Sequence, residues 1–386
     1  MIRPFANRLA DIQPFHVMAL LARARELEAQ GRDIVHMEIG EPDFVTPQPI
    51  IAAAQRALLE GRTHYTSALG LPELRVAIAG YYRARYGLDI SPQRIILTPG
   101  GSGALLLVLG ALVNPGDEVL MSDPGYPCNR HFVRFVEGRP RAVPVAAATA
   151  YQLNAELVAQ YWTPRSVAAM LASPSNPTGT LITPEALAEL IACVHARNGA
   201  VIVDEIYHGL VYEGAQISAL SLSDDVFVIN SFSKYFNMTG WRLGWIVAPP
   251  AYVGALEKLA QNLFLAAPTL AQYAALAAFA PETIEILEQR RCEFQRRRDY
   301  LVPALRELGF DISAVPQGAF YIYANCARFT QDSYAFATDL LETAGVAITP
   351  GIDFGAHHPH THVRFAYTTS MERLKEGVQR LRSRVG

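Results

Sequence analysis

The stretch SFSKYFNMTGWRLGW, residues 231–245, sets one lysine beside hydroxyl donors and an arginine. Lys234 follows Ser231 and Ser233, and Arg242 comes shortly after it. A lysine that is desolvated next to other positive charge loses its proton readily, and it then forms a Schiff base with a carbonyl compound. Serine hydroxyls and a planar guanidinium are suited to binding phosphate. The alternative is an ordinary solvated lysine, since most lysines are exposed.

A carboxylate and a phenol in the segment AVIVDEIY indicate a partner with a ring nitrogen. Asp204 ends an apolar strand, where it either caps the following helix or holds a proton on an aromatic nitrogen. Opposite charges 4 Å apart at an effective dielectric near 20 attract by about 4 kcal/mol, which would raise the pKa of a pyridine nitrogen by roughly three units. Tyr207 either presents its hydroxyl to the same ring or is a core tyrosine. A phosphate-bearing aldehyde with a ring nitrogen, pyridoxal 5'-phosphate (PLP), fits this set together with Lys234.

The glycine-rich segment GGSGALLLVLGAL is typical of an anion site at the start of a helix. Gly101, Ser102 and Gly103 follow a strand, so free backbone amides point outward at the helix N-terminus. A plain tight turn would use the same glycines. A dinucleotide fingerprint is excluded, because the GxGxxG pattern read from Gly101 requires glycine where the chain has Leu106.

Composition points to small-molecule partners. The chain has 386 residues and a net charge of -3, with no block of like charge that would recruit nucleic acid or an anionic membrane surface. The run ALLLVLGALV is too short for the roughly 20 residues of a membrane span and predicts a buried helix. The N-terminus lacks the pattern of a secretory signal, so we expect a cytoplasmic protein.

Cysteines and histidines give no metal framework. The four cysteines form no CxxC pair, which suits a reducing compartment, and we assign them to core packing; they are Cys128, Cys193, Cys292 and Cys326. The histidines of HHPHTH have no acidic or cysteine companions at ligand spacing, so a solvated loop is the expectation and no metal site is predicted; they are His357, His358, His360 and His362.

Seven short apolar runs alternate with helical segments from about residue 94 onward: RIIL, EVLM, RAVPV, VAAMLA, AVIVD, VFVIN and GWIVA. This pattern predicts an α/β fold with a mostly parallel seven-stranded sheet flanked by helices. Ligands of such sheets bind at the carboxyl ends of the strands. The loops TPGGSG, DPGYP, SPSNPTG, DEIYHG and SFSK all follow predicted strands, so we expect them to converge on one edge.

The pattern changes near residue 285, where a charged helix is followed by the short strands AFYIYA and HVRFAY and a final amphipathic helix. We therefore predict a large PLP-binding domain over residues 47–284 and a smaller α+β domain over residues 285–386. Residues 1–46 contain one helix, around MALLARARELEAQG, and are expected to pack with the small domain. The arginines of the charged helix are expected on its solvated face.

The motifs GEPDF, HYTSALG, DPGYP, SPSNPTG, DEIY and SFSKYFNMTGWRLGW, in this order, resemble the class I/II aminotransferases, which are PLP enzymes of fold type I. The likeness runs from about residue 30 to the end and is closest to the bacterial aspartate and aromatic group. It implies transfer of an amino group from an L-amino acid to a 2-oxo acid by a ping-pong mechanism through a Lys234 aldimine. It also implies a homodimer with shared active sites.

The resemblance implies a role for each matching residue. Lys234 is the catalytic lysine, Asp204 pairs with the ring nitrogen, and Tyr207 and Asn176 bind the ring oxygen. Tyr126 stacks on the ring, or it packs a turn between prolines. The phosphate is expected to be bound by Gly101, Ser102, Gly103, Ser231, Ser233 and Arg242, with Tyr65 reaching it from the neighbouring subunit. Arg364 in HVRFAY is the α-carboxylate ligand, assisted by Gly40 and Asn176.

Two features of the sequence bear on substrate preference: a difference from some relatives at Ser102, and the segments that line the side-chain pocket in relatives. Some relatives that prefer dicarboxylates carry a lysine where this chain has Ser102, which puts aspartate specificity in doubt. Segments that line the side-chain pocket in relatives bring mostly apolar residues, which indicates neutral or aromatic substrates; these are Phe15, His16, Val17, Phe320 and Phe354.

Three alternatives differ in outcome. A carbon–sulfur β-lyase of the same fold would need the same lysine, aspartate and arginine, so the motifs do not separate it from an aminotransferase. A cofactor-binding regulator usually carries a DNA-binding domain, for which the N-terminal segment leaves no room. A nicotinamide oxidoreductase would leave Lys234 and Arg242 without roles.

Overall fold

The computed structural model of the chain describes residues 5–12 and 14–385. Its strands, in chain order, are β1 (Val35–His36), β2 (Ile95–Thr98), β3 (Glu118–Asp123), β4 (Arg139–Pro144), β5 (Ser166–Ala172), β6 (Ala200–Asp204), β7 (Val226–Ser231), β8 (Gly244–Val247), β9 (Tyr321–Asn325), β10 (Val346–Ala347), β11 (Thr349–Pro350) and β12 (His362–Ala366).

The α-helices are α1 (His16–Ala29), α2 (Gln48–Leu59), α3 (Pro72–Tyr86), α4 (Gly100–Leu112), α5 (Pro127–Phe135), α6 (Ala155–Tyr161), α7 (Pro184–His195), α8 (Val253–Leu263), α9 (Thr269–Ala275), α10 (Pro281–Leu308), α11 (Ser333–Asp339) and α12 (Met371–Val385). A π-helical turn, Leu340–Ala344, continues α11. No helix within residues 5–12 and 14–385 is long and apolar enough to cross a membrane.

The central sheet contains the seven predicted strands in the order β2-β8-β7-β6-β5-β3-β4. Strand β8 is antiparallel to both of its neighbours, β2 and β7, and the other four pairs of adjacent strands are parallel. Strands β2, β7 and β8 are buried along their whole length because helices cover both faces, which explains their continuous apolar runs. The predicted α/β fold with a mostly parallel seven-stranded sheet is confirmed.

The predicted buried helix is α4, which lies against the sheet and against α8. Its central residues ALLLVL are almost all buried, and it begins at the glycine-rich turn directly after β2. The long charged helix and the final amphipathic helix are α10 and α12, and they pack against each other. Helix α10 is capped at its C-terminus by Gly309, whose positive φ of 100° is the left-handed conformation that glycine adopts readily.

A second sheet, of order β11-β12-β9, is antiparallel and places Arg364 opposite Tyr323 and Thr349. Strand β1 from the N-terminal segment pairs in parallel with β10, and α1 packs on β10 and β11. The N-terminal segment therefore lies against the C-terminal part of the chain. The predicted boundary between residues 284 and 285 falls in the first turn of α10, which begins at Pro281.

The prediction for the arginines of α10 is wrong at two positions. Arg297 and Arg298 are each 3% exposed. The guanidinium of Arg297 donates to both carboxylate oxygens of Asp43, at 2.7 and 3.0 Å, and that of Arg298 donates to Glu213 at 2.6 Å. Acids from the loops that face α10 satisfy these charges, so the helix buries them.

Two smaller predictions also need correction. His362 is buried and its ring stacks on Tyr323, with centroids 4.8 Å apart, because it starts a core strand and does not belong to the solvated loop. Cys292 is exposed on α10 and does not pack in the core, unlike Cys326. Within residues 5–12 and 14–385, no three His, Cys, Asp or Glu side chains are grouped to hold a metal ion.

Candidate active site

A cavity of about 230 Å³ opens at the carboxyl ends of the central strands. Loops after β2, β3, β5, β6 and β7 all contribute to its wall, as expected from the strand order. The predicted residues that line it are Gly40, Gly101, Ser102, Tyr126, Asn176, Asp204, Tyr207, Ser233, Lys234, Arg242 and Arg364.

Lys234 is the lysine that the fold encloses. The chain has three lysines, and Lys258 and Lys375 are both exposed on helices. The Nζ of Lys234 donates a hydrogen bond to the carbonyl oxygen of Gly40 at 2.7 Å. Burial lowers the pKa of its amine to about 8, with Arg364 and Arg242 acting in the same direction against the attraction of Glu41 and Asp204. A sizeable neutral fraction at physiological pH makes this amine a nucleophile and a proton carrier.

Asp204 lies at the end of β6 and is 7% exposed. Its Oδ1 accepts a hydrogen bond from the backbone N–H of Ile206 at 3.0 Å. Burial raises the pKa of its carboxyl group to about 6, although that hydrogen bond and the Lys234 charge lower it. Asp204 is thus an acid in a desolvated wall, and a protonated ring nitrogen would supply the positive partner that favours its ionised form.

The start of α4 forms one end of the cavity. The guanidinium of Arg242 lies over this turn, because a Cβ added at Gly100 would come within 2.6 Å of its Nη2. Gly100 and Arg242 both have positive φ, 70° and 53°, so the backbone on each side is shaped for this close approach. Together with the unpaired amides of the first helical turn, the guanidinium forms an anion site.

The two serines of SFSK have different positions: one lines the cavity and the other lies beneath it. Ser233 lines the cavity, whereas Ser231 is 1% exposed and its hydroxyl bonds to Ser233 Oγ at 2.9 Å and to the carbonyl of Leu243 at 3.1 Å. Ser231 therefore orients Ser233 in this structure. Gly103 lies one turn into α4, where a Cβ would come within 2.9 Å of the Pro99 side chain.

Arg364 forms the opposite end of the cavity and is 4% exposed. Its guanidinium donates to Asn176 Oδ1 at 3.0 Å, to the carbonyl of Glu38 at 2.6 Å and to the hydroxyl of Thr349 at 3.2 Å. Within the described part of the chain no carboxylate pairs with it, and its Nε has no hydrogen-bond partner. A buried guanidinium without an acid is costly, so this end is suited to a carboxylate ligand.

Two tyrosine hydroxyls meet between these ends. Tyr207 Oη lies 2.9 Å from Tyr321 Oη, and both side chains are buried. Sequence reasoning placed Tyr321 in a strand and gave it no role in the site. The contact joins residues 114 positions apart, and no local pattern in the sequence predicts it.

The two remaining predicted tyrosines lie differently. Tyr126 lines the cavity at the start of α5, and burial raises the pKa of its hydroxyl well above the usual value. Tyr65 is 81% exposed and lies away from the cavity lining of its own chain.

Five apolar side chains contribute an apolar wall to the cavity: Phe15, Val17, Met18, Leu21 and Leu105. Of the predicted side-chain pocket, Phe15 and Val17 line the cavity, whereas His16, Phe320 and Phe354 are not among its lining residues. The first turn of α1 has no capping side chain of its own at Phe15. Instead the carboxylate of Asp353 accepts hydrogen bonds from the backbone N–H groups of His16 and Val17, each at 2.9 Å.

The donor set fits PLP. An anion site, a partly desolvated acid, a phenol, an amide and an enclosed amine with a lowered pKa match the phosphate, ring nitrogen, ring oxygen and aldehyde of that molecule. Asn176 Oδ1 is occupied by Arg364, so its Nδ2 is the group that can donate toward the ring oxygen.

Comparisons with known proteins agree with this chemistry. The family model for aminotransferase class I and II matches residues 32–381. The chain is 40% identical to valine–pyruvate aminotransferase of Mycobacterium tuberculosis over 97% of each protein, and 38% identical to (5-formylfuran-3-yl)methyl phosphate transaminase of Methanocaldococcus jannaschii over 98% of each.

Solved structures give the same result. An aminotransferase from Mycobacterium tuberculosis superposes with a TM-score of 0.97 at 39% identity, covering 100% of this chain and 99% of that one. Aspartate aminotransferase from Thermus thermophilus with maleate has a TM-score of 0.93 at 35% identity and full coverage of both chains. These relatives carry out amino transfer, and their names give no support to a lyase reaction. The chain therefore belongs to the class I and II aminotransferases, PLP-dependent enzymes that move an amino group from an amino acid to a 2-oxo acid.

Proposed function

We propose that this aminotransferase accepts amino acids with neutral, mainly apolar side chains and uses Lys234 to move the proton at the substrate α-carbon. The observation that carries the proposal is one cavity that holds the Lys234 amine, the Asp204 carboxylate and the Arg364 guanidinium beside an apolar wall. Bound PLP supplies the electron sink that this chemistry requires.

Lys234 is suited to acid–base work because the pKa of its amine, about 8, lies near the operating pH. The Gly40 carbonyl orients Nζ through the 2.7 Å hydrogen bond, and the ring of Phe320 lies 5.9 Å from it. In this role Nζ holds the proton taken from the α-carbon and returns it to the neighbouring carbon of the cofactor.

The remaining polar residues hold the cofactor in place. With PLP bound, Asp204 would accept a hydrogen bond from the ring N–H, Tyr207 and the Nδ2 of Asn176 would donate to the ring oxygen, and Tyr126 would pack against the ring. The phosphate would be bound by Arg242, Ser233 and the first-turn amides of Gly101, Ser102 and Gly103, and Ser231 fixes the Ser233 hydroxyl.

The substrate is held by its carboxylate and sorted by its side chain. Arg364 binds the α-carboxylate in a two-pronged pair, with the Gly40 and Asn176 region beside it. The side chain then faces Phe15, Val17, Met18 and Leu21, where a second carboxylate would lose its hydration without gaining a cation. The valine substrate in the name of the Mycobacterium tuberculosis relative supports an apolar preference.

We also propose a homodimer in which Tyr65 reaches the phosphate of the partner's site. Exposed apolar side chains in the same N-terminal third of the chain support this proposal, namely Leu58, Leu59 and Val45 at 56%, 87% and 76% exposure. Coexpression of a Lys234→Ala chain with a Tyr65→Ala chain tests it, since a mixed dimer contains one site with both native residues. Activity well above that of either variant alone is expected, and no gain would exclude a shared site.

The predicted three-part organisation remains part of this proposal. Residues 47–284 carry the cofactor side and residues 285–386 carry Arg364, with residues 1–46 adding the apolar wall through α1. The pairing of β1 with β10 supports grouping the first and last parts. A cytoplasmic location also stays a prediction and rests on the unpaired cysteines.

The test of function combines a spectrum with a map of the attachment site. Addition of an amino acid alone is expected to bleach the visible band of the holoenzyme and release one equivalent of 2-oxo acid, and a 2-oxo acid should then restore the band. Borohydride reduction followed by peptide mass analysis should place the pyridoxyl group on Lys234.

Lys234→Ala is expected to lose turnover by at least about 10⁴-fold, with Lys258→Ala as the matched control. Turnover by Lys234→Ala near the native rate would overturn the assignment. A faster reaction with aspartate than with valine, leucine or phenylalanine would overturn the proposed side-chain preference.

A further inference from the structure

Tyr321, at the start of β9, contacts two residues that line the active-site cavity, Tyr207 and Arg364. Its hydroxyl lies 2.9 Å from that of Tyr207, and its ring centroid lies 4.2 Å from the guanidinium carbon of Arg364. Its hydroxyl also fills the space beside Gly40, where an added Cβ would come within 2.2 Å of it. The side chain is 1% exposed, so these contacts are its main environment.

We propose that Tyr321 is a positioning residue that couples Tyr207 to Arg364, with its hydroxyl acting on the cofactor through Tyr207 and its ring acting on the substrate through Arg364. This inference rests on the roles proposed above for Tyr207 and Arg364. It assigns separate tasks to two parts of one side chain, which makes the tasks separable by substitution.

The task of the hydroxyl follows from proton counting. Each phenol has one proton to donate, and burial raises the pKa of both, so both are neutral. If Tyr207 donates to the ring oxygen of the cofactor, the hydrogen bond between the two tyrosines must be donated by Tyr321. Hydrogen bonds in a chain polarise one another. A hydrogen bond that the Tyr207 hydroxyl accepts from Tyr321 therefore makes Tyr207 a better hydrogen-bond donor to the cofactor.

The task of the ring follows from the surroundings of Arg364. Its guanidinium has no acid partner within the described residues, and the rings of Tyr321 and Phe354 lie 4.2 and 5.0 Å from its central carbon. Aromatic faces attract a desolvated cation without neutralising it. The ring therefore holds Arg364 in place and leaves its charge for the substrate carboxylate.

The steric contact with Gly40 extends the same arrangement to Lys234. The carbonyl of Gly40 accepts the Lys234 hydrogen bond, and the Tyr321 hydroxyl lies against its α-carbon. The Tyr321 side chain thus contacts the phenol of Tyr207 and the guanidinium of Arg364 directly, and it contacts the amine of Lys234 through Gly40.

Two variants separate the tasks. Tyr321→Phe removes the hydroxyl and keeps the ring, whereas Tyr321→Leu removes both. Tyr323→Phe is the matched control, because Tyr323 is a buried tyrosine two positions along the same strand that stacks on His362 outside the cavity lining. The readouts are the pH midpoint of the visible band of the holoenzyme and the Kd of 3-phenylpropionate, an unreactive carboxylate, measured from the change in that band.

With Tyr321→Phe we expect the pH midpoint of the band to rise by about half to one unit, because a ring oxygen with a weaker donor is more basic and retains the neighbouring proton to higher pH. The Kd of 3-phenylpropionate should stay within about twofold. With Tyr321→Leu the same rise should be joined by a threefold to tenfold larger Kd. Tyr323→Phe should change neither.

Equal midpoints for the native enzyme and Tyr321→Phe would overturn the role of the hydroxyl, and equal Kd values for Tyr321→Phe and Tyr321→Leu would overturn the role of the ring. If the native enzyme shows no titrating band and binds no 3-phenylpropionate, the proposed roles of Tyr207 and Arg364 fail first and the coupling fails with them. Should Tyr321→Leu not fold, the hydroxyl role is still decided by Tyr321→Phe.

Discussion

The two anion sites that we propose, one at each end of the cavity, are built in different ways. At the α4 end, Arg242 acts with the free amides of a helix start, and the site follows directly from short motifs behind the sheet strands. At the Arg364 end, a single buried guanidinium is held by carbonyls, a hydroxyl and aromatic rings that come from distant parts of the chain.

We expect the α4 end to determine the rate of the reaction and the Arg364 end to determine which amino acids react. The α4 end, with Lys234 and Asp204, is the proposed cofactor end and is fixed by the central sheet, so changes there are expected to alter the reaction for every substrate. The substrate end depends on α1, β9 and β12, so changes there are expected to alter which amino acids react. The following predictions test this separation, beginning with the largest effect.

Asp204→Asn is expected to lower kcat by about 10³-fold for all substrates. It would remove the proposed ion pair with the PLP ring nitrogen, which at 4 Å and an effective dielectric near 20 contributes about 4 kcal/mol. The Kd of 3-phenylpropionate should change little, since Arg364 is untouched. Single-turnover kinetics measure the first quantity, and Asp225→Asn, on the exposed surface, is the control. A loss confined to particular substrates would contradict the separation.

Arg364→Lys is expected to lower kcat/KM by about 10²-fold, since an ammonium cannot form the two parallel hydrogen bonds of a guanidinium with a carboxylate. The visible spectrum of the holoenzyme and the affinity for PLP should remain those of the native enzyme. Steady-state kinetics and PLP titration measure the two, with Arg296→Lys on the exposed side of α10 for comparison. Weakened PLP binding would show that the ends are not independent.

The rate of reconstitution of the cofactor-free protein with PLP is expected to rise about 50-fold from pH 6 to pH 8. With a pKa of about 8 for Lys234, the neutral amine increases from about 1% to about 50% over that range. The reconstitution rate rises with pH because only the neutral amine is nucleophilic. Stopped-flow absorbance measures the rate, and a flat profile would contradict the lowered pKa.

Met18→Ala is expected to lower kcat/KM for leucine and phenylalanine by about fivefold and to leave alanine unchanged. Met18 lines the cavity but is 55% exposed, so its loss removes apolar contact with long side chains at little expense to the core. Alanine as substrate is the internal control. An equal decrease for all three amino acids would place the effect at the cofactor end.

The cofactor end was largely predictable from the sequence because its residues follow strand ends. Buried parallel strands give continuous apolar runs, and the loops that leave their carboxyl ends must share one edge. The sequence therefore predicts that Lys234, Asp204 and the α4 turn lie together.

The substrate end was less predictable, because its contacts join residues that are far apart. Tyr321 meets Tyr207 across 114 residues. The same difficulty arises outside the cavity lining, where Arg297 of α10 pairs with Asp43 across 254 residues. Helical periodicity assigns an arginine to solvent unless its distant partner is known, which explains the wrong expectation for Arg297 and Arg298. Arg364 was identified only because its motif resembles a family pattern.

The hydrogen bonds from the first turn of α1 to Asp353 affect how this enzyme can be redesigned. Chimaeras that exchange residues 14–29 between relatives would carry over the apolar wall, but the transplanted helix would lack its own cap. Its orientation would depend on whether the recipient supplies an aspartate at position 353. Segment exchange should therefore succeed when helix and loop are moved as a pair, and natural recombination would be subject to the same linkage.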